Sequence, residues 1–167
     1  MIELYDLRNK QIDDLCKYVQ KKFEASSFGA QPLPNGSYLI SVHNLPLPHG
    51  WNRDTTIVSF VVPPGYPGAS PSCMWVEPGG FRLRDGSTAG NSNDSNNIPG
   101  DPIKERSTTW FALRPLAWDP NRDTLVHYFQ LVLHRLQKPN WQPYQGSEML
   151  LKTPRGNQNE QYEGRRR

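Results

Sequence analysis

The segment at residues 60–78 reads FVVPPGYPGASPSCMWVEP and places a stiff corner between two apolar runs. The first run, TTIVSFVV at residues 55–62, is rich in β-branched residues and predicts a largely buried strand. Pro63 and Pro64 end that strand, because proline has no backbone N–H to give to a β-ladder. The second run, SCMWVEP at residues 72–78, predicts the next strand. The Pro/Gly corner is therefore expected to connect two neighbouring antiparallel strands.

The sequence before the corner predicts a helix and one more strand. Residues 37–45, SYLISVHNL, alternate in the manner of a strand. Residues 26–36, SSFGAQPLPNG, read as a loop because of their Gly and Pro content. Residues 9–26 carry an apolar stripe at the spacing of an amphipathic helix, formed by Ile12, Leu15, Cys16, Val19 and Phe23. Within this stripe a cysteine is expected to pack in the core.

The sequence after the corner predicts a long loop and a second helix. Residues 79–102 contain DGSTAGNSNDSNNIPGDP, a composition too polar for a core, and predict an extended loop. Residues 119–138 form the clearest helical pattern, with Asp119 or Asn121 as its N-cap. Its expected buried stripe consists of Leu125, Tyr128, Phe129, Val132, Leu133 and Leu136.

The order of these elements predicts one α+β domain. A helix, three strands, a long loop and a second helix indicate an antiparallel β-meander with helices on one side. The domain is expected at residues 1–140, and residues 141–167, which end in RRR, are expected to form a polar C-terminal tail.

Composition excludes several classes of function. The chain has 167 residues and a net charge of +3, without a basic stripe that would indicate a nucleic-acid partner. Its two cysteines, Cys16 and Cys73, form neither a disulfide framework nor a metal-binding spacing, which is typical of a reducing compartment. The N-terminus, MIELYDLRNK, is charged, and no apolar run reaches the length of a membrane span. We expect a cytoplasmic protein with no membrane partner, no metal site and no cofactor.

Two stretches together resemble a known family. The run LPLPHGWNRDTTIVSFVVPPGYPGASPSCMWVEPGGF at residues 45–81 contains a proline-rich signature, formed by Pro63, Pro64, Tyr66, Pro67 and Pro71. The run AWDPNRDTLVHYFQLVLHRL at residues 117–136 is similar to a Trp-containing turn followed by a helix. Both resemble the bacterial family E of ubiquitin-conjugating-enzyme-like proteins, over roughly residues 7–138. The resemblance implies the ubiquitin-conjugating fold, with an activating enzyme and a ubiquitin-like modifier as partners.

The chain departs from the usual motifs of ubiquitin-conjugating enzymes at the catalytic centre. The sequence EPGGF at residues 77–81 stands where a His-Pro-Asn motif would begin, and that motif is absent. The usual position of the catalytic cysteine, counted back from the Trp of the turn, falls at Trp110, and Ser107, Thr108 and Thr109 precede it. Cys73 comes too early in the chain and is expected to pack within its strand.

Two functions remain open without this cysteine. In one, the protein receives the modifier from the activating enzyme as an oxyester on a Ser or Thr hydroxyl; in the other, it is a non-catalytic module that recruits or presents the modifier or the activating enzyme. A hydroxyl nucleophile needs a general base and donors for the developing oxyanion. The candidates are Ser107, Thr108 and Thr109 as nucleophile, Asp101 and Glu105 as base, and Arg114, Lys104 and Arg106 as charge stabilisers. KERSTTW, residues 104–110, also fits a solvated loop that enters a β-segment.

Two surfaces are candidates for partner binding. The resemblance implies that the exposed face of the first helix contacts the activating enzyme, through Lys10, Lys17 and Lys21. Pro63, Tyr66 and Pro67 form a second candidate edge at the corner. His127 and His134 are expected on the exposed side of the last helix, without the partners that a metal site requires.

Overall fold

The computed structural model describes residues 2–142, with side chains from residue 7 onward. Within that range two helices and six strands follow one another as α1 (Ile2–Lys22), β1 (Ser27–Pro32), β2 (Tyr38–Pro46), β3 (Thr55–Val62), β4 (Cys73–Glu77), β5 (Ser92–Asn93), β6 (Thr109–Ala112) and α2 (Leu125–Leu136). The strands form one antiparallel sheet in the order β1-β2-β3-β4-β6-β5. An N-terminal helix, an antiparallel sheet and a C-terminal helix confirm the predicted α+β fold.

The core lies between one face of the sheet and the two helices. Val58 and Phe60 of β3 and Met74 of β4 face Leu15 of α1 and Phe129 of α2, all of them buried. The opposite face of the sheet, called here the outer face, carries a second apolar cluster, formed by Leu33, Leu39, Trp75 and Ile98. Alternation along the strands produces these two faces, since successive side chains point to opposite sides of a sheet.

The proline-rich corner connects β3 to the antiparallel β4, as predicted. The Tyr66–Pro67 peptide bond at its centre is cis. The indole Nε1 of Trp118 donates to the Pro67 carbonyl at 2.7 Å. The Tyr66 hydroxyl donates to Oε1 of Gln11, and the same oxygen accepts the Leu125 backbone N–H at 3.2 Å. One amide oxygen on α1 therefore holds both the corner and the start of α2.

One loop prediction was wrong, and a second was right about the loop but wrong about its packing. Residues 26–36 were expected to form a loop, but β1 pairs with β2 along its whole length as an edge strand. An edge position tolerates Pro32, whose missing N–H faces away from the ladder. Residues 79–102 form a long loop with the short strand β5, but they do contribute to the core, because four of their apolar side chains are buried: Phe81, Leu83, Ala89 and Ile98.

The predicted start of the last helix was also wrong. Thr124 is the N-cap of α2, and its hydroxyl accepts the His127 backbone N–H while His127 Nδ1 accepts that of Thr124. Asp119 instead lies in the preceding turn, where its N–H is held by Asp123 at 2.7 Å. His134, expected at the surface, is only 6% exposed. The predicted tail, apart from Trp141 and Gln142, lies outside the described residues, and the domain boundary at residue 140 stays a prediction.

Candidate functional site

The EPGGF loop lies beside residues 107–109. Strand β4 pairs with β6 in antiparallel register, with Val76 opposite Thr109, so the end of β4 and the start of β6 meet at one edge. Three successive backbone N–H groups of the loop donate to side chains there. Gly79 donates to Ser107 Oγ at 3.2 Å, Gly80 to an Asp94 carboxylate oxygen at 3.4 Å, and Phe81 to Thr109 Oγ1 at 3.0 Å.

The three candidate hydroxyls have different environments. Ser107 is exposed to solvent. Thr108 is 6% exposed and lines a cavity described below. Thr109 is fully buried. Its hydroxyl donates a hydrogen bond to Asp94 at 2.5 Å and accepts one from the Phe81 backbone N–H. Of these three, Ser107 presents its hydroxyl most openly to an incoming group.

Arg53 binds two backbone carbonyl groups of the EPGGF loop. Its Nη1 donates to the Pro78 carbonyl at 2.8 Å, and its Nη2 donates to the Gly79 carbonyl at 3.2 Å. The guanidinium carbon lies 5.1 Å from the centre of the Phe81 ring. Burial lowers the pKa of Arg53, and the neighbouring Arg82 lowers it further. Sequence analysis missed this residue.

Asp94 is a second residue that the sequence did not indicate. Arg82 pairs with its carboxylate at 2.6 Å. Hydrogen bonding from Arg82 is the main cause that lowers the pKa of Asp94 to about 2, and the Thr109 hydroxyl contributes as well. A carboxylate of such low basicity is a weak proton acceptor, so Asp94 serves to fix the loop and Thr109.

The other candidate acid, Asp101, belongs to an ion-pair network. Arg106 binds it in a bidentate manner, with Nε at 2.5 Å and Nη2 at 3.2 Å, and reaches Glu77 through Nη1 at 3.1 Å. Burial acts to raise the pKa of Asp101, but hydrogen bonds from Arg106 and the Ile103 N–H outweigh it, and the pKa is lowered. Asp101, Lys104, Arg106 and Thr108 line one cavity of about 330 Å³.

The remaining catalytic candidates are exposed. Glu105 lies in the turn two residues before Ser107. Arg114 follows β6 and is therefore separated from Ser107 by the length of that strand. The structure thus gathers Asp101, Lys104, Arg106 and Thr108 around the cavity and places Ser107 against the EPGGF loop.

Both cysteines lie in the described part of the chain, away from the Ser107 hydroxyl. Cys73 packs against the outer-face cluster together with Val61 and Trp110, as expected. Burial raises the pKa of the Cys73 thiol, and hydrogen bonds with Trp110 and Ser72 offset only part of that effect. Cys16 is partly buried on α1. Near neutral pH Cys73 is therefore mostly a thiol, which is a poor nucleophile.

The predicted partner-binding residues lie on two separate surfaces. On α1, Lys10 and Lys17 are exposed and form i,i+4 pairs with aspartates at 3.0 Å and 3.3 Å, and Lys21 is exposed near the helix end. At the corner Pro63 and Pro67 are partly exposed, whereas Tyr66 is 2% exposed and faces the core. Binding of partners by these surfaces stays a prediction.

Residues 2–142 contain neither a membrane-spanning helix nor a cluster of metal-binding side chains. No helix in that range is both long and apolar enough to cross a bilayer. The same residues bring together no group of three or more His, Cys, Asp or Glu side chains arranged to hold a metal ion.

The fold and the loop geometry define a ubiquitin-conjugating-like domain whose usual catalytic motif is replaced. The family described as prokaryotic E2 family E matches residues 21–139. The chain belongs to this family. No curated protein and no solved structure matches it significantly. Membership gives the protein an E2-like role in a prokaryotic ubiquitin-like pathway, with a modifier and an activating enzyme as its general classes of partner.

Proposed function

We propose that this protein receives the C-terminus of a ubiquitin-like modifier from an activating enzyme and holds it on the Ser107 hydroxyl as an oxyester. One observation supports the choice of Ser107 above the others. Its exposed hydroxyl accepts the Gly79 N–H at 3.2 Å, in the loop that stands in place of the usual His-Pro-Asn motif.

The proposed reaction is an acyl transfer. Ser107 Oγ attacks the thioester carbonyl that joins the modifier to a cysteine of the activating enzyme. The C–O bond forms, the C–S bond breaks, and the serine proton passes through a base to the departing sulfur. The Gly79 N–H favours this step, because a donor to Oγ stabilises the alkoxide more than the neutral hydroxyl.

Glu105 is the proposed base. It is exposed and lies two residues before the nucleophile, whereas Asp101 is held by Arg106. We assign Asp101 to the support of the loop, where its ion pair fixes the segment that leads to Ser107. Thr108 and Thr109 have little exposed surface, and the Thr109 hydroxyl already donates to Asp94.

A non-catalytic binding module is the second candidate function. The observation in its favour is that two of the acids in this region, Asp94 and Asp101, are engaged in ion pairs with arginines. In that case the protein would present the modifier or the activating enzyme without forming a bond. The lysine face of α1 and the proline corner would supply the contacts.

One assay separates the two candidates. The protein is incubated with ATP and with the activating enzyme and modifier encoded in the same genome, and the products are separated on a denaturing gel. We expect an adduct that survives thiol reductant and is cleaved by mild base. Ser107→Ala should abolish it, and Ser27→Ala, at an exposed serine on β1, should retain it.

Three results would contradict the oxyester. The first is an adduct that reductant cleaves, and the second is an adduct that persists in Ser107→Ala. The third is stable binding of modifier or activating enzyme without any adduct, which supports the binding module.

A further inference from the structure

We propose that Arg53 is a positioning residue that activates Ser107 through the peptide group between Pro78 and Gly79. This inference rests on the proposed function, in which the Ser107 hydroxyl is the reacting group. Arg53 Nη1 donates to the Pro78 carbonyl at 2.8 Å, and the N–H of that same peptide group donates to Ser107 Oγ at 3.2 Å. A cation, one amide and the hydroxyl therefore form a continuous chain.

Polarisation along this chain gives it a chemical effect. A donor on the oxygen of an amide draws electron density from its nitrogen, so the N–H becomes a stronger donor. The stronger donor stabilises negative charge on Oγ more than it stabilises the neutral hydroxyl. Arginine is suited to this position because its guanidinium stays charged at neutral pH and offers several N–H groups in a rigid plane.

The hydrogen bonds that lead from Arg53 to Ser107 are held in a fixed geometry. Arg53 Nη2 also binds the Gly79 carbonyl at 3.2 Å, so the arginine grips the carbonyls of two successive residues. Thr56 holds the start of the loop, where its hydroxyl donates to the Glu77 carbonyl at 3.1 Å. Gly79 has no free space, because a Cβ there would come within 2.9 Å of Ser107 Oγ. The N–H is therefore kept on the hydroxyl.

A fluorophosphonate probe tests this inference without any pathway component. Ser107 Oγ would attack phosphorus, the O–P bond would form, and the P–F bond would break with release of fluoride and of the serine proton to solvent. The rate of labelling is measured by intact-protein and peptide mass spectrometry from pH 6 to pH 10. Ser107→Ala identifies the labelled atom.

The variants distinguish hydrogen-bond donation by Arg53 from the effect of any positive charge in the same region. Arg53→Met keeps the length of the side chain without donors, and we expect labelling to slow about tenfold, which corresponds to about 1.4 kcal/mol. Any levelling off of the labelling rate should also move to a higher pH than in the wild type, because the alkoxide is less stabilised in the variant. Arg53→Lys retains one cationic donor and should give an intermediate rate and profile. Arg84→Gln removes an exposed charge from the same region and should change the rate less than about twofold, since solvent screens it.

Three results would overturn the inference. They are the absence of labelling at Ser107 in the wild type, wild-type rates and pH profiles in both Arg53 variants, and an equal loss in Arg84→Gln. Melting temperatures of all variants are measured in parallel, because a purely structural defect lowers stability without shifting the pH profile. Labelling that depends on Arg53 would stand even if no modifier adduct formed, so the failure of the proposed function is distinguishable.

Discussion

Replacing Arg106 with methionine removes the cation that holds residues 97–106 against the outer face of the sheet. The side chains of Arg106 and Asp101 are 14% and 5% exposed, so the substitution leaves a nearly buried carboxylate without its partner. Breaking a buried pair by removing one member costs about 3–5 kcal/mol. The small exposure of Arg106 places the expected loss of unfolding free energy near the lower end, at about 3 kcal/mol. For a chain of this size that is a fall in Tm of roughly 6–12 °C.

Urea and thermal unfolding followed by circular dichroism measure this loss. The pKa of Asp101 is lowered by folding from its ordinary value of 3.8. Its contribution to stability is therefore fully present above pH 3.8 and is lost as the pH falls through the lowered pKa. The difference between wild type and Arg106→Met should be largest near neutral pH, and it should shrink in acid, where Asp101 is protonated first in the variant and then in the wild type.

Two further variants test the reasoning. Asp101→Asn in the Arg106→Met background removes the unpaired charge and should restore at least half of the lost stability. Glu77→Gln should cost less than about 1 kcal/mol, because Glu77 is 28% exposed and solvent weakens its pair. A loss below about 0.5 kcal/mol in Arg106→Met would refute this account of the network, and so would a difference that persists unchanged in acid.

Three other outcomes are expected. Gly79→Ala should cost about 1–3 kcal/mol and slow the labelling of Ser107, because the new Cβ meets Ser107 Oγ at 2.9 Å and the Thr108 carbonyl oxygen at 3.1 Å; an unchanged labelling rate would contradict the packing. Thr124→Ala should lower the unfolding free energy by about 1 kcal/mol in urea titrations through loss of the α2 cap, with Thr124→Ser as the control that restores it. In a Cys16→Ser background, Cys73 should react with iodoacetamide at pH 8 more than about tenfold more slowly in the native state than in urea, since burial raises its pKa; similar rates would refute this.

The central strands and the corner could be predicted because local sequence and tertiary position agree there. A β-branched run followed by two prolines permits few other structures, and β3, the corner and β4 follow it. Strand β1 could not be predicted in this way. Its sequence, SFGAQP, has weak β-propensity, and its strand conformation depends on pairing with β2.

The long segment after β4 shows a different limit of sequence patterns. Phe81, Leu83 and Ile98 are buried there, but they are isolated among polar residues and follow neither a helical nor a strand period. His134 and Thr124 were misjudged for a related reason. The periodicity of α2 gives the direction of its apolar face, whereas its cap and the width of its buried face depend on neighbouring elements.

The site was predictable only in part. The family resemblance pointed to residues 107–109 and to EPGGF as replacements for the usual motifs. Their proximity, and the difference between the exposed Ser107 and the buried Thr109, depend on the register of β6. Arg53 and Pro78 are 25 positions apart in sequence. They meet because β3 and β4 pair with Ile57 opposite Glu77, which brings the residues before one strand beside those after the other. No local sequence pattern indicates which residues of these two strands are paired.

The amide of Gln11 fixes the rotation of α1 about its own axis. Its single oxygen accepts hydrogen bonds from Tyr66 and Leu125, on two elements far apart in the sequence. Turning the helix by one residue, about 100°, would carry this oxygen away from both donors. The angular offset between the lysines of α1 and the prolines of the corner is therefore set before any partner arrives. A protein that binds both surfaces at once must fit this single relative orientation. A protein that rotates the helix on binding would break the hydrogen bonds of Gln11 to the corner and to the first turn of α2.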